Sequence, residues 1–259
     1  MGLVMTQLTQ EFEREKTREA ALAISNLTFG YPKQEEIFQG LNLQIRPGER
    51  VGLIGPNGSG KTTLFLLICG ILTPGSGEIQ LFGKPVEMGE FRPEIGLVFQ
   101  NPDDQLFTTS VRDDVAFGPE NMNLDAEEVE NRVRTALSVT GVEELIDRVP
   151  QNLSGGEKCM VAIASVLAMQ PQIILYDEPT ANLDMRARRR LIQFLQNSQE
   201  TYLVSTHDLE VILEVCDRVL LLDEGHIVAD GNPREVMGDK QLMEAHGLEK
   251  PHSLMPHQE

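Results

Sequence analysis

Positive charge is scarce in this chain of 259 residues: 22 lysines and arginines stand against 40 aspartates and glutamates, a formal net charge of −18. Nucleic-acid phosphates and anionic lipid head groups repel such a surface, so nucleic acid is not an expected partner. Long apolar runs are also missing. The longest, Leu64 to Leu72, contains Gly70 and falls far short of the roughly 20 residues that cross a bilayer. No signal peptide is expected, because residues 11–19 are charged where its apolar core belongs. Cysteine is sparse as well. Cys69, Cys159 and Cys216 lie far apart inside apolar patterns and read as small buried hydrophobes in a reducing compartment. The expectation is a cytoplasmic protein. With 41% hydrophobic and 24% charged residues it can bury a sizeable core as one large domain, with or without an appendage.

What is present reads as α/β. Residues 1–20 form a polar extension. Leu41, Leu43 and Ile45 then alternate with Asn42 and Gln44, the pattern of a strand with one buried face. Val51 to Ile54 is a short apolar run ending at Gly55, and a helical run follows from Lys61 to Ile71. From about residue 101 to 169 the chain becomes helical and charged, with Val129, Val133 and Leu137 at helical spacing. Ile173 to Tyr176 and Tyr202 to Val204 are continuous apolar runs, as in strands covered on both faces of a parallel sheet. After Gly238 a polar tail is expected over 239–259, and its histidines His246, His252 and His257 lack tight ligand spacing.

Gly55-Pro56-Asn57-Gly58-Ser59-Gly60-Lys61-Thr62 fits G-x-x-x-x-G-K-[ST] between a strand and a helix, the context in which that loop binds a nucleotide. The glycines let backbone N–H groups converge on phosphate oxygens, and the helix end adds its positive dipole. Lys61 is placed for the β- and γ-phosphates and Thr62 for Mg²⁺. The apolar strand ending in Asp177-Glu178 puts two acids where open α/β sheets bind ligands. Asp177 suits Mg²⁺, directly or through water. Glu178 suits the general base that activates water. Leu153-Ser154-Gly155-Gly156-Glu157 carries two readings: a capping box that starts a helix, and a glycine-bared anion site at a helix N-terminus.

Taken together, from about Ala21 to Gly238, these motifs resemble the ATP-binding cassette ATPases. The resemblance implies a phosphate-loop sheet core, an antiparallel β subdomain and a helical insertion, with ATP held between two subunits arranged head to tail. It implies that Gly55 through Thr63 bind nucleotide and that Gln100 senses Mg²⁺ and the attacking water. Ser154, Gly155, Gly156 and Glu157 would face the partner's nucleotide. Asp184, in Ala181-Asn182-Leu183-Asp184, belongs to the loop coupling the two sites. His207 resembles the switch histidine on the γ-phosphate, and Tyr31 the aromatic that stacks on adenine. Two positions depart from the pattern: Glu157 stands where glutamine is usual, and Cys159 where a basic residue is common. The segment from Val98 to Phe107 and on to Asn121 is similar to the ATPases of energy-coupling factor importers, which take up cobalt, nickel, biotin and other vitamins. That likeness implies a second ATPase subunit, a transmembrane scaffold, a separate substrate-binding membrane subunit, and a peripheral position on the cytoplasmic face of the inner membrane. It also makes Asp103 and Asp104 contact residues for the scaffold.

Overall fold

The computed structural model describes residues 20–33, 35–181 and 183–255; the expected extension apart from Ala20, as well as Asn182 and His257, lies outside the described residues. In chain order the elements are β1 (Leu22–Gly30), β2 (Glu36–Ile45), β3 (Arg50–Ile54), α1 (Lys61–Ile68), β4 (Ser76–Leu81), β5 (Lys84–Pro85), β6 (Ile95–Val98), α2 (Val111–Asn121), α3 (Ala126–Thr140), α4 (Gly155–Leu167), β7 (Ile173–Asp177), α5 (Met185–Asn197), β8 (Thr201–Ser205), α6 (Leu209–Val215), β9 (Arg218–Asp223), β10 (His226–Gly231), α7 (Pro233–Val236) and α8 (Lys240–Ala245).

The strands form two sheets. One is antiparallel, in the order β2-β1-β4-β5; the other runs β10-β9-β3-β8-β7-β6 and is parallel except for β10 at its edge. The alternation in β2 does what it predicts: Leu41, Leu43 and Ile45 are buried while Asn42 and Gln44 are exposed. β7 and β8 are buried along their whole length, as their unbroken apolar runs require in a sheet covered on both faces. Leu53, Leu175 and Leu203 face the core shared with the antiparallel sheet and α1, whereas Ile174, Tyr176 and Val204 face the core shared with the helices.

Between β6 and β7 the chain makes a helical layer. Val129, Val133 and Leu137 are buried on α3 at the spacing the sequence shows. Asp125 caps that helix by accepting from the Glu128 N–H at 2.8 Å, and Gly141, at φ 64°, ends it. Beyond Gly238 the structure differs from a loose polar tail. α8 buries Met243 completely, Leu248 and Leu254 pack on the core, and Pro251 is buried. Polar anchors hold the same segment: His246 Nδ1 lies 2.7 Å from Asp223 Oδ2, and Ser253 Oγ donates to Glu210 Oε2 at 2.6 Å. A few apolar side chains at wide spacing are enough to seat a segment whose average composition is polar.

Candidate active site

The phosphate loop leaves β3 at Gly55. A Cβ there would fall 2.1 Å from the Leu222 carbonyl oxygen, and one on Gly60, at φ 101°, would fall 2.8 Å from Ile37 and 2.9 Å from Phe38. A side chain at Gly55 would push the loop off the sheet, and one at Gly60 would be strained by the positive φ and crowd Ile37 and Phe38. α1 starts without a side-chain cap, so its first N–H groups are free for a ligand. Lys61 is 8% exposed, and its ammonium donates to the Gly55 and Pro56 carbonyls at 2.9 and 3.1 Å. Burial pushes its pKa down, and the nearby Glu178 and Asp177 charges oppose that shift. Ser59 Oγ is buried in the loop with no hydrogen-bond partner. Thr62 is exposed, while Thr63 is buried and its hydroxyl lies 3.3 Å from that of Tyr31. The Tyr31 ring stands edge-on to Phe29 at 5.1 Å between centroids, so the aromatic is seated beside the first turn of α1.

The acid pair ends β7, which β8 separates from β3. Register places Asp177 opposite Ser205, whose hydroxyl donates to Asp177 Oδ1 at 2.7 Å. Glu178 has φ 47°, uncommon for a residue with a side chain. Its N–H donates to the Ser205 carbonyl at 3.0 Å and also lies 3.1 Å from Ser205 Oγ, which holds the turn. Glu178 Oε2 accepts from the His207 N–H at 3.0 Å. His207 Nε2 lies 3.1 Å from Oε1, at angles that make no hydrogen bond, so Oε1 is buried and unpartnered. Half of the His207 side chain is open to solvent. Gln100 follows β6, the neighbour of β7, and is exposed.

The Ser154 segment answers its double reading in part. The Ser154 N–H and hydroxyl donate to Glu157 Oε2 at 2.8 and 2.7 Å, and Ser154 Oγ accepts from the Glu157 N–H at 3.4 Å. This capping box turns the Glu157 carboxylate back onto its own helix. The bond from the Ser154 hydroxyl, then that from its N–H, pulls the Glu157 pKa down. Ser154 and Gly155 stay exposed. A Cβ on Gly156 would meet the Ala187 methyl at 2.5 Å, so α4 rests against the first turn of α5. Asp184 caps α5, accepting from the Arg186 and Ala187 N–H groups at 2.9 and 2.8 Å. Gln100, Asp103, Gly155, Lys158, Pro179 and Leu183 line a common pocket of about 230 Å³. Asp103 is not free there: Lys158 Nζ donates to it at 2.6 Å. Buried Cys159 approaches the Pro179 carbonyl at 3.6 Å, and burial pushes its thiol up to about 12.

Several residues at the site carried no sequence signal of their own. Ser205 orients Asp177 and holds Glu178. Gln105 accepts from the Phe99 N–H at 3.1 Å and donates to the Ala162 carbonyl at 2.9 Å, fastening the segment after β6 to α4. Thr180 and Thr206 join the two strand-end loops at 2.9 Å.

This constellation defines a phosphate-loop nucleotide site with hydrolytic groups at the carboxyl ends of parallel strands. Residues 38–181 match the family ABC transporter, and the chain belongs to that family as an ATP-hydrolysing transport ATPase. A Synechocystis sp. chain with a provisional ABC transporter ATP-binding description is 58% identical over 234 residues, 90% of this chain and 82% of its own. The energy-coupling factor transporter ATP-binding protein EcfA of Methanocaldococcus jannaschii is 43% identical over 87% of this chain and 84% of its own length. Among solved structures, cbiO1 of Clostridium perfringens, part of the ABC transporter complex cbiONQ, is 38% identical. It superposes with a TM-score of 0.78 over 88% of this chain and 94% of its own.

The residues present fit a magnesium–nucleotide pair. The loop glycines leave the space, while the orphaned Ser59 Oγ and Glu178 Oε1 are polar atoms still wanting a partner. Among the described residues no group of three or more His, Cys, Asp or Glu could hold a metal ion by itself.

Proposed function

We propose that the chain is the ATPase of an energy-coupling factor type importer, working as a head-to-tail pair with a second copy or a paralogue. The observation that carries this reading is the 43% identity to EcfA across most of both chains. The structure of cbiO1 and the exposed aromatic pair Phe107 and Phe117, edge-on at 5.1 Å within the segment similar to those importers, support it. No described helix is long and apolar enough to cross a membrane. As the ATPase of such an importer, the chain would work peripherally, on the cytoplasmic face of the inner membrane. A transmembrane scaffold would bind it, and a separate membrane subunit would hold the cargo. Cobalt is the first cargo to test, with nickel, biotin and other vitamins as the other outcomes.

In this reading Gly55 through Thr63 cradle the triphosphate and Tyr31 packs on adenine. Lys61 exchanges its two backbone carbonyls for β- and γ-oxygens. Thr62, Gln100 and Asp177 would hold Mg²⁺, which neutralises phosphate charge when bound. Glu178 Oε1 accepts a proton as the water oxygen bonds to the γ-phosphorus and the bond to the β,γ-bridging oxygen breaks. His207 orients Glu178 through its N–H and faces the γ-phosphate. Ser154, Gly155, Gly156, Glu157 and Asp184 close the partner's site, with Glu157 acting as the cap and not as a phosphate contact.

The test is to tag the chain, purify it gently from its native membranes and identify what accompanies it by mass spectrometry. A multi-spanning scaffold plus a second membrane protein supports the importer, and the second protein gives the cargo class. Recovery of the chain alone from the soluble fraction replaces this reading with an ATPase acting in assembly or repair.

A further inference from the structure

Two segments leave the ends of neighbouring strands, residues 178–184 after β7 and 206–208 after β8. Close to the sheet they are joined by Glu178 to Ser205 and by Thr180 to Thr206. A further link lies beyond these, one turn into α5. Arg188 Nε donates to Asp208 Oδ2 at 2.5 Å and its Nη2 to Asp208 Oδ1 at 3.0 Å. The fork is bidentate, and the two side chains are only 18% and 28% exposed. Such a pair fixes the relative position of its two backbones far better than a solvated surface pair does.

Each end is anchored to something the proposed reaction needs. Asp208 is the neighbour of His207. Its N–H donates to Thr206 Oγ1 at 3.0 Å, and its Oδ1 accepts from the Val211 N–H at 3.4 Å, capping α6. Arg188 lies four residues after Asp184, the cap of α5, so one turn of helix joins them. A shift of the loop at Asp184 is therefore carried by α5 and the ion pair to Asp208. From there it reaches the His207 N–H that holds Glu178 Oε2 at 3.0 Å.

We infer that Arg188 is a positioning residue: it ties the loop at Asp184 to the His207–Glu178 pair, so that closure of one nucleotide site sets the hydrolytic geometry of the other. The inference rests on the two-subunit reading above. The next arginine serves as the control. Arg189 is 55% exposed and pairs with Glu214 at 2.7 Å, a carboxylate that Arg188 itself approaches only at 3.9 Å, and it has no bond to Asp208.

The experiment measures the ATP dependence of hydrolysis by the full chain in its purified transporter complex for wild type, Arg188→Gln, Arg188→Lys, Arg189→Gln and the exchange Arg188→Asp/Asp208→Arg. Thermal unfolding and binding of a fluorescent ATP analogue are followed in parallel. Arg188→Gln is expected to lower kcat roughly tenfold to hundredfold, the scale of a small misplacement of catalytic groups. KM should move less than about threefold and the Hill coefficient should fall toward one, because the ground-state phosphate contacts are untouched. Lysine should restore only part, lacking the fork. The exchange should recover part of kcat, and Arg189→Gln should match wild type. A wild-type kcat and Hill coefficient in Arg188→Gln, or an equal loss in Arg189→Gln, overturns the inference. So does a loss of kcat accompanied by an equal loss of analogue binding, which marks a merely structural role. A wild-type complex that hydrolyses ATP with a Hill coefficient of one has no coupling for Arg188 to carry and overturns the inference alone, whereas a purified complex holding a single ATPase chain overturns the two-subunit reading itself.

Discussion

The phosphate loop and the Ser154 segment are both glycine-rich starts to a helix, yet they are built in opposite ways. The loop at Gly55 is sunk between strand ends, with Lys61 buried, Ser59 Oγ orphaned and α1 uncapped. Its polar groups are held ready for something absent from the chain itself. The segment at Ser154 is exposed and has closed its own hydrogen bonds through the capping box. A helix end whose cap is complete and whose glycine faces outward offers shape and backbone more than unpaired side chains. In the proposed reading the first binds the nucleotide, and the second closes over the site of a second copy or a paralogue.

Four experiments break or sharpen that contrast. Glu178→Gln should cut hydrolysis by about 10² to 10⁴ while ATP binding persists, measured as phosphate release and nucleotide affinity; undiminished turnover would remove Glu178 as the base. Lys61→Ala should raise the Kd for ATP roughly tenfold to hundredfold, the worth of a charge-assisted bond, by equilibrium titration. Unchanged affinity would mean that the buried ammonium is structural. Ser154→Ala should cost about 1 kcal/mol of cap, a fall in Tm of about 2–4 °C for a chain of this size. Calorimetry showing no shift would deny that the cap stabilises α4. Glu157→Gln should have the smallest effect, on pH dependence. The Glu157 pKa is depressed by the Ser154 hydroxyl and then its N–H, so its contribution is fully present above the ordinary value near 4.5. It is lost as pH falls through the depressed folded value. The glutamine variant should show a flatter Tm against pH in acid, and a curve identical to wild type would place the carboxylate elsewhere.

How much of this was legible in the sequence depended on range. The α/β class, the strand at Val51 to Ile54 and the acids ending Ile173 to Tyr176 followed from runs of local apolar residues beside glycines. The capping box was equally local, its two members three residues apart. Ser205 on Asp177 was not legible, because a serine ending a strand carries no sign of which strand lies beside it. Arg188 on Asp208 spans 20 residues and two elements, and one arginine among three consecutive ones is unmarked until β7 and β8 are neighbours. The partner of Asp103 was not legible either, because Lys158, 55 residues on, comes to it only when α4 packs against the segment after β6. The polar average after Gly238 hid Met243 and Leu248, since composition averages over the few residues that packing selects.

The segment from Met243 to Leu254 also has a place in time. It emerges from the ribosome after β10, when every strand that carries the phosphate loop and the acid pair has been made. Without that segment seated, the apolar surface that receives Met243 and Leu248 would be open to water, and Asp223 and Glu210 would lose their partners His246 and Ser253. A seam of that kind is the surface on which incompletely folded chains associate, so the clasp guards the folded ATPase against its own copies.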